Sequence, residues 1–387
     1  GPDRPAGLVS RGVAGFWVLL GVAGCAGAPP APPPVPAFPH DQVVETLYLI
    51  GDAGDPDSTG EPVLRSLRRE LDSRGGERVV VFLGDNAYPR GLPPPDAPTR
   101  VEAERILRTQ VNAVTAAGVP GYFVLGNHDW ARHTKDGWNA ARRQEAYVDS
   151  LGAGRVVLLP RDGCPGPSVA DVGDRIRLVF LDTQWWLHPG PKPEGPGSGC
   201  PAGDDGQIVD SIRSAIRGAG ARLVVVVGHH PFATGGDHGG YFGWEDHIFP
   251  LRLVDSRLWI PLPLIGSLYP SARQQGISNQ DLSSAAYRHF IDVLTRAFAE
   301  QSPALYAAGH EHNLQVIAGG AARLELVSGG GIYGHTGRAV RIQGSLFARQ
   351  ASGYGRLDVT STGRGRLAVV QVDSAGNGHE AFATWVE

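Results

Sequence analysis

Residues 78–88 read Arg78-Val79-Val80-Val81-Phe82-Leu83-Gly84-Asp85-Asn86-Ala87-Tyr88. The unbroken apolar run predicts a strand buried on both faces. It stops at a glycine followed by an acid. The same grammar recurs along the chain. Residues 46–50 end at Gly51-Asp52, and 122–125 end at Gly126-Asn127-His128. Residues 175–181 end at Asp182, 223–227 at Gly228-His229, and 305–308 at Gly309-His310. Helical spacing fills the gaps, with Val63, Leu64, Leu67 and Leu71, then residues 101–117, then Tyr287, Phe290, Ile291, Leu294 and Phe298. Late strands are expected near 324–327 and 367–372, and no internal repeat is evident. In sheets of this α/β kind, ligand sites form beyond the carboxyl ends of strands. The polar residues after each glycine are therefore expected to converge, although they are scattered over most of the chain.

Five motifs carry the chemistry: Gly51-Asp52-Ala53-Gly54, Gly84-Asp85-Asn86-Ala87-Tyr88, Gly126-Asn127-His128-Asp129, Gly228-His229-His230-Pro231 and Gly309-His310-Glu311-His312. Each glycine permits a sharp turn, and each following side chain offers oxygen or nitrogen. Such a donor set suits iron, zinc or manganese rather than copper(I), and it contains no thiolate. Singly, a Gly-Asp after a strand is a turn and a histidine is a hydrogen-bonded structural residue. Five such motifs together point to a metal centre.

The set and its order resemble the calcineurin-like metallophosphoesterase family over most of residues 45–330. That resemblance implies a four-layer α/β/β/α sandwich, one catalytic domain and two metal ions bridged by an aspartate. A finer likeness is to the purple acid phosphatases, the small tartrate-resistant members above all. The common family form opens Asp-x-His, whereas here Gly54 stands in the histidine's place. Tyr88 lies three residues after Asp85, where the purple enzymes have their tyrosinate, and residues 310–315 look like the tail of their last motif. The resemblance implies that Asp52, Asp85, Tyr88 and His312 hold one metal, Fe(III). It implies that Asp85, Asn127, His229 and His310 hold the other, Fe(II), zinc or manganese. It also gives His128 contact with the substrate phosphate and His238, which follows Asp237, the leaving group. His230 stands between substrate binding and packing behind the site.

The chain departs from the family between His238 and Ser284. Residues 241–281 form an insertion holding Tyr241, Phe242, Trp244, Phe249 and Trp259. It reads as a lid, as a surface for membrane or partner, or as a loop packed on its own domain. Trp185-Trp186 reads as packing rather than as a pocket wall.

Of 387 residues, 42% are hydrophobic and 19% charged, and the net charge is −4. This balance is globular and gives no electrostatic case for nucleic acid. Arg4 and Arg11, the apolar run 13–22 and Val22-Ala23-Gly24-Cys25 form a secretory signal pattern. It resembles the bacterial lipoprotein signal, with a plain signal peptide or short anchor as alternatives. The expected layout is a signal over 1–24, a proline-rich linker over 25–42 and the catalytic domain over 43–387. The expected location is the bacterial cell envelope, periplasm or cell surface, with a lipid anchor at Cys25. In an exported chain, Cys164 and Cys200 are expected to form a disulfide across the loop 189–201.

The function expected is hydrolysis of a small-molecule phosphomonoester by a metal-bound hydroxide. A phosphodiesterase or nucleotide pyrophosphatase on the same site is the runner-up. A non-catalytic surface binding protein is a distant third, because it predicts lost ligands and none is lost. The oligomeric state is not legible in the sequence.

Overall fold

The computed structural model describes residues 35–387 except Thr59, residues 254–257 and Leu264. The signal pattern and Cys25 lie outside the described residues. Two seven-stranded sheets form the centre. The first has the order β14 (Gly378–Val386), β13 (Gly365–Val372), β12 (Gly353–Thr360), β1 (Val43–Ile50), β2 (Glu77–Phe82), β3 (Gly121–Phe123), β4 (Val156–Leu158). The second runs β11 (Ser345–Arg349), β9 (Leu314–Ala318), β10 (Leu324–Ser328), β8 (Leu305–Ala308), β7 (Leu223–Val227), β6 (Ile176–Phe180), β5 (Ser168–Val172). β1 to β4 are parallel to one another, as are β6, β7, β8 and β10.

Successive side chains of a strand face opposite ways, and here both directions are buried. In β1, Tyr48 and Ile50 meet α1 (Pro62–Ser73) and α2 (Arg100–Thr115), while Leu47 and Leu49 meet the second sheet. α3 (Gly137–Gly152) completes the first helical layer. The outer face of the second sheet, with Val224, Val226 and Tyr306, meets α5 (Asp205–Arg217) and α8 (Ala285–Phe298). Trp185 and Trp186, on the one-turn α4 (Gln184–Leu187), are buried in that layer. The expected four-layer α/β/β/α sandwich is the observed fold.

Local signals set the helix starts. Pro62 opens α1 at a position whose N–H has no helical partner, with the Glu61 carboxylate accepting from Val63 N. Ser284 Oγ caps α8 by accepting from Tyr287 N. The end of the proline-rich segment belongs to the folded body, because Arg366 donates to the Val35 carbonyl and Phe38 packs on Trp385. Cys164 and Cys200 are disulfide-bonded. Residues 241–281, expected to be an insertion, carry two short helices, α6 (Trp244–Ile248) and α7 (Leu268–Gln274). No helix among the described residues is long and apolar enough to cross a membrane.

Candidate metal centre

The parallel strands of both sheets end at one edge, and there the five motifs meet. Asp52 follows β1, Asp85 lies just beyond β2, Asn127 beyond β3, His229 beyond β7 and His310 beyond β8. Asp52, Asp85 and His310 adopt left-handed backbone conformations, with φ of 58°, 53° and 69°. Such backbone is costly for residues with a Cβ and concentrates where function demands it. It turns three side chains inward immediately after their strands.

Close backbone approach requires some of the glycines. A Cβ on Gly54 would lie 2.6 Å from Ala87 N and would overlap the Asp85 carbonyl. The Tyr88 amide donates to the Gly54 carbonyl at 2.9 Å. No histidine fits at position 54, and the second loop brings Tyr88 to the same place. Gly126 has its own reason: a Cβ there would overlap the Asp85 carboxylate and amide.

The donor atoms fall into two groups sharing one carboxylate. In the first, the Tyr88 hydroxyl lies 2.9 Å from Asp52 Oδ1, 3.3 Å from Asp85 Oδ2 and 3.0 Å from His312 Nε2. In the second, His229 Nε2 lies 3.4 Å from Asp85 Oδ2 and 3.2 Å from Asn127 Oδ1, and His310 Nδ1 lies 3.2 Å from the same Asn127 oxygen. Asp52, Asp85, His229 and His310 are all buried. Two buried carboxylates crowded by a phenol and imidazoles form a concave set of lone pairs, which fits cations. Burial and then the Asp52 and Asp85 charges hold the Tyr88 phenol well above its usual pKa. A phenolate there calls for a metal ion beside it.

A second layer of hydrogen bonds orients these donors. His229 Nδ1 donates to the Leu83 carbonyl at 2.8 Å, which leaves the Nε2 lone pair facing the site. The His310 amide donates to Asp52 Oδ2 and the His128 amide to Asp85 Oδ1. The Asp129 carboxylate accepts from the Gly126 and Asn86 amides and from Gln144. It thereby joins the loops after β2 and β3 to α3.

His128 flanks the first group, its ring 4.4 Å from Tyr88 and its Nδ1 donating to the Pro89 carbonyl. His238 stands beside the second group, its ring 4.0 Å from His310. His230 is fully buried, with Nδ1 2.7 Å from Thr183 Oγ1 and Nε2 2.7 Å from Gln280 Oε1. Both ring nitrogens of His230 have protein partners. Burial, then the neighbouring His229, pushes its pKa well down.

Sequence reasoning passed over His335, whose ring lies 4.2 Å from His312 and 5.9 Å from Tyr88. The signal was present, since β10 also ends in glycine, at Gly329-Gly330-Gly331. It also passed over Arg273, Gln280 and Asp281, which the insertion delivers to the site and which lie in no motif. The insertion therefore touches the site from inside, while Trp244, Leu268 and Ile277 on its outer side are exposed.

These features define a buried site at a strand-end edge whose donors suit metal ions. Residues 46–314 match the family model described as calcineurin-like phosphoesterase, and the chain belongs to that family. It is thus a hydrolase of the metallophosphoesterase type. No curated protein matches the sequence. Among solved structures, GAP50, the anchor in the inner membrane complex of Plasmodium, matches with a TM-score of 0.56 at 15% identity, covering 89% of each chain. PhoD matches with a TM-score of 0.53 at 11% identity over 92% of this chain and 72% of that one. The purple acid phosphatase PPD1 from yellow lupin (Lupinus luteus) seeds matches with a TM-score of 0.50 at 14% identity. That match covers 89% of this chain but 54% of the lupin protein, so this chain spans about half the lupin enzyme's length. At these identities the likeness is one of fold.

Proposed function

We propose that the chain is a phosphomonoesterase of purple acid phosphatase type with a dinuclear metal centre. The observation that carries this is the Tyr88 hydroxyl, which sits among Asp52, Asp85 and His312 where Gly54 leaves no room for a histidine. Asp52, Asp85, Tyr88 and His312 hold the first ion, and Asp85, Asn127, His229 and His310 hold the second. Two carboxylates and a phenolate suit a hard ferric ion. An amide and two imidazoles beside the shared carboxylate suit Fe(II), zinc or manganese. When bound, such a pair neutralises phosphoryl charge and lowers the pKa of a coordinated water.

The chain's own residues supply the rest. His128 presents Nε2 to the phosphoryl oxygens, because its Nδ1 is tied to Pro89. His238 stands at the leaving-group side. As imidazolium it gives the Nε2 proton to the departing oxygen and keeps its Nδ1 proton. The test is phosphate release from p-nitrophenyl phosphate and from its bis ester, with metals loaded. Faster release from the monoester supports the reading. Preference for the bis ester replaces it with a phosphodiesterase.

The location proposed is the cell envelope, with a lipid anchor at Cys25. The Cys164–Cys200 bond supports export, because such bonds persist in oxidising compartments. Cys25→Ala should move the protein from the membrane to the soluble fraction. Unchanged membrane association would remove the anchor.

A further inference from the structure

We infer that the insertion between His238 and α8 carries a positioning pair, Arg273 and Asp281, that aims His238 at the leaving group. The inference rests on the acid role proposed for His238 and deepens it.

Both residues are buried. Asp281 is 1% exposed and Arg273 9%. Arg273 Nε lies 2.7 Å from Asp281 Oδ2 and 2.8 Å from Oδ1, and its Nη2 also reaches Oδ1. Such a fork fixes the plane of the carboxylate. Asp281 Oδ1 is in turn 3.2 Å from His238 Nδ1, and Arg273 Nη2 is 3.1 Å from the same nitrogen. A protonated Nδ1 donates to Asp281, and an unprotonated one accepts from Arg273. In either state Nδ1 is the engaged nitrogen, and Nε2 is the one turned away from the pair.

The pair is held by the insertion itself. The Arg273 guanidinium lies over the Phe242 ring, 5.6 Å from its centroid. Ser283 Oγ donates to the Arg273 carbonyl at 3.2 Å. The Leu282 amide donates to the His238 carbonyl at 3.0 Å, and the His238 amide donates to Glu311 Oε1 at 3.0 Å. His238 is therefore gripped by its backbone on both sides and by its side chain at Nδ1. When the Nε2 proton leaves for the alkoxide, the proton on Nδ1 stays on the ring and remains donated to Asp281 Oδ1. The ring does not have to turn between the two states. An ion pair buried this deeply is a poor source of stability, and pointing a functional ring is a better account of it.

The experiment compares p-nitrophenyl phosphate, whose leaving group needs little protonation, with 2-glycerol phosphate, whose alkoxide needs a proton. Both are assayed on the metal-loaded full chain, with metal content measured for each variant. Asp281→Asn and Arg273→Gln should lower kcat for 2-glycerol phosphate by a part of the roughly 10²–10⁴-fold that a positioned general acid contributes, about 10–100-fold. KM and the p-nitrophenyl phosphate rate should change less than about 3-fold, and Arg273→Lys should recover part of the loss. His238→Ala should show the same split between substrates. If His238→Ala shows it and the pair's variants do not, the pair has no positioning role. Equal losses on both substrates, or lost metal in Arg273→Lys as well, mark a structural role and overturn the inference. If His238→Ala itself shows no split, the acid assignment fails first, and the two failures are told apart.

Discussion

The Tyr88 hydroxyl lies 2.9 Å from Asp52 Oδ1, although 35 residues and a whole helix separate them. The contact exists because β1 and β2 are parallel neighbours and each turns sharply after a glycine. It predicts that iron-loaded protein is pink to purple through charge transfer from Tyr88. Tyr88→Phe should keep the fold and lose the visible band. A band that survives this substitution would contradict the assignment of Tyr88, read by absorption spectroscopy.

Asp85 Oδ2 is the atom common to both donor groups. Asp85→Asn should therefore reduce metal content at both positions, whereas Asn127→Ala should reduce it at one. The activity loss for Asp85→Asn should exceed the roughly 10–100-fold typical of removing an outer hydrogen-bond partner. Metal analysis of the two purified variants, alongside rates, checks this.

Asp129 touches none of the donor atoms through its own carboxylate, yet it ties Gly126 and Asn86 to α3 through Gln144. Asp129→Ala should weaken metal binding about 10–100-fold. It should leave substrate KM unchanged once metal is saturating, which titration of the metal-free protein will show.

Glu325 is buried beneath the site and accepts the Phe232 and Ala233 amides. Burial, the dominant influence, raises its pKa from 4.5 to about 8 despite those two donors. A raised folded-state pKa gives a contribution fully present below the unfolded value and lost as pH rises through the folded one. Wild-type stability relative to Glu325→Gln should thus fall from about pH 4.5 to about pH 8, by about 1.4 kcal/mol per pH unit. Denaturant unfolding of both proteins at pH 5 and 8 measures it. A difference independent of pH would contradict the neutral carboxyl.

The Cys164–Cys200 bond closes a separation of 36 residues. Loop-closure entropy for that length is about 3–4 kcal/mol. The Cys164→Ser, Cys200→Ser double variant should lose roughly that much stability by denaturant unfolding.

Much of this was legible in the sequence for a physical reason. Strands buried on both faces are apolar throughout, so residues 78–83 and 223–227 declare themselves, and the glycines that end them mark the site. Short edge strands gave less. β4 is apolar (Val156-Val157-Leu158) but only three residues long, and β5 and β11 have five residues that mix polar or charged side chains with apolar ones, as loops do. β3 ends at Phe123 rather than at residue 125: Val124 N still donates to the Phe82 carbonyl, but the Val124 carbonyl accepts from the Asn86 side chain, and Val124 and Leu125 are apolar because they are buried. Arg273 and Asp281 were not legible at all. Their meaning lies in a tertiary contact with His238, 35 and 43 residues away, which no spacing rule encodes.

The central claim is a two-metal phosphoester hydrolase, and one measurement meets it most directly. Metal-free protein is titrated with iron and zinc while phosphate release from p-nitrophenyl phosphate is followed. The account predicts negligible release without metal and activity rising to a plateau at two ions per chain. Full activity in the metal-free protein, or none with two ions bound, would contradict it.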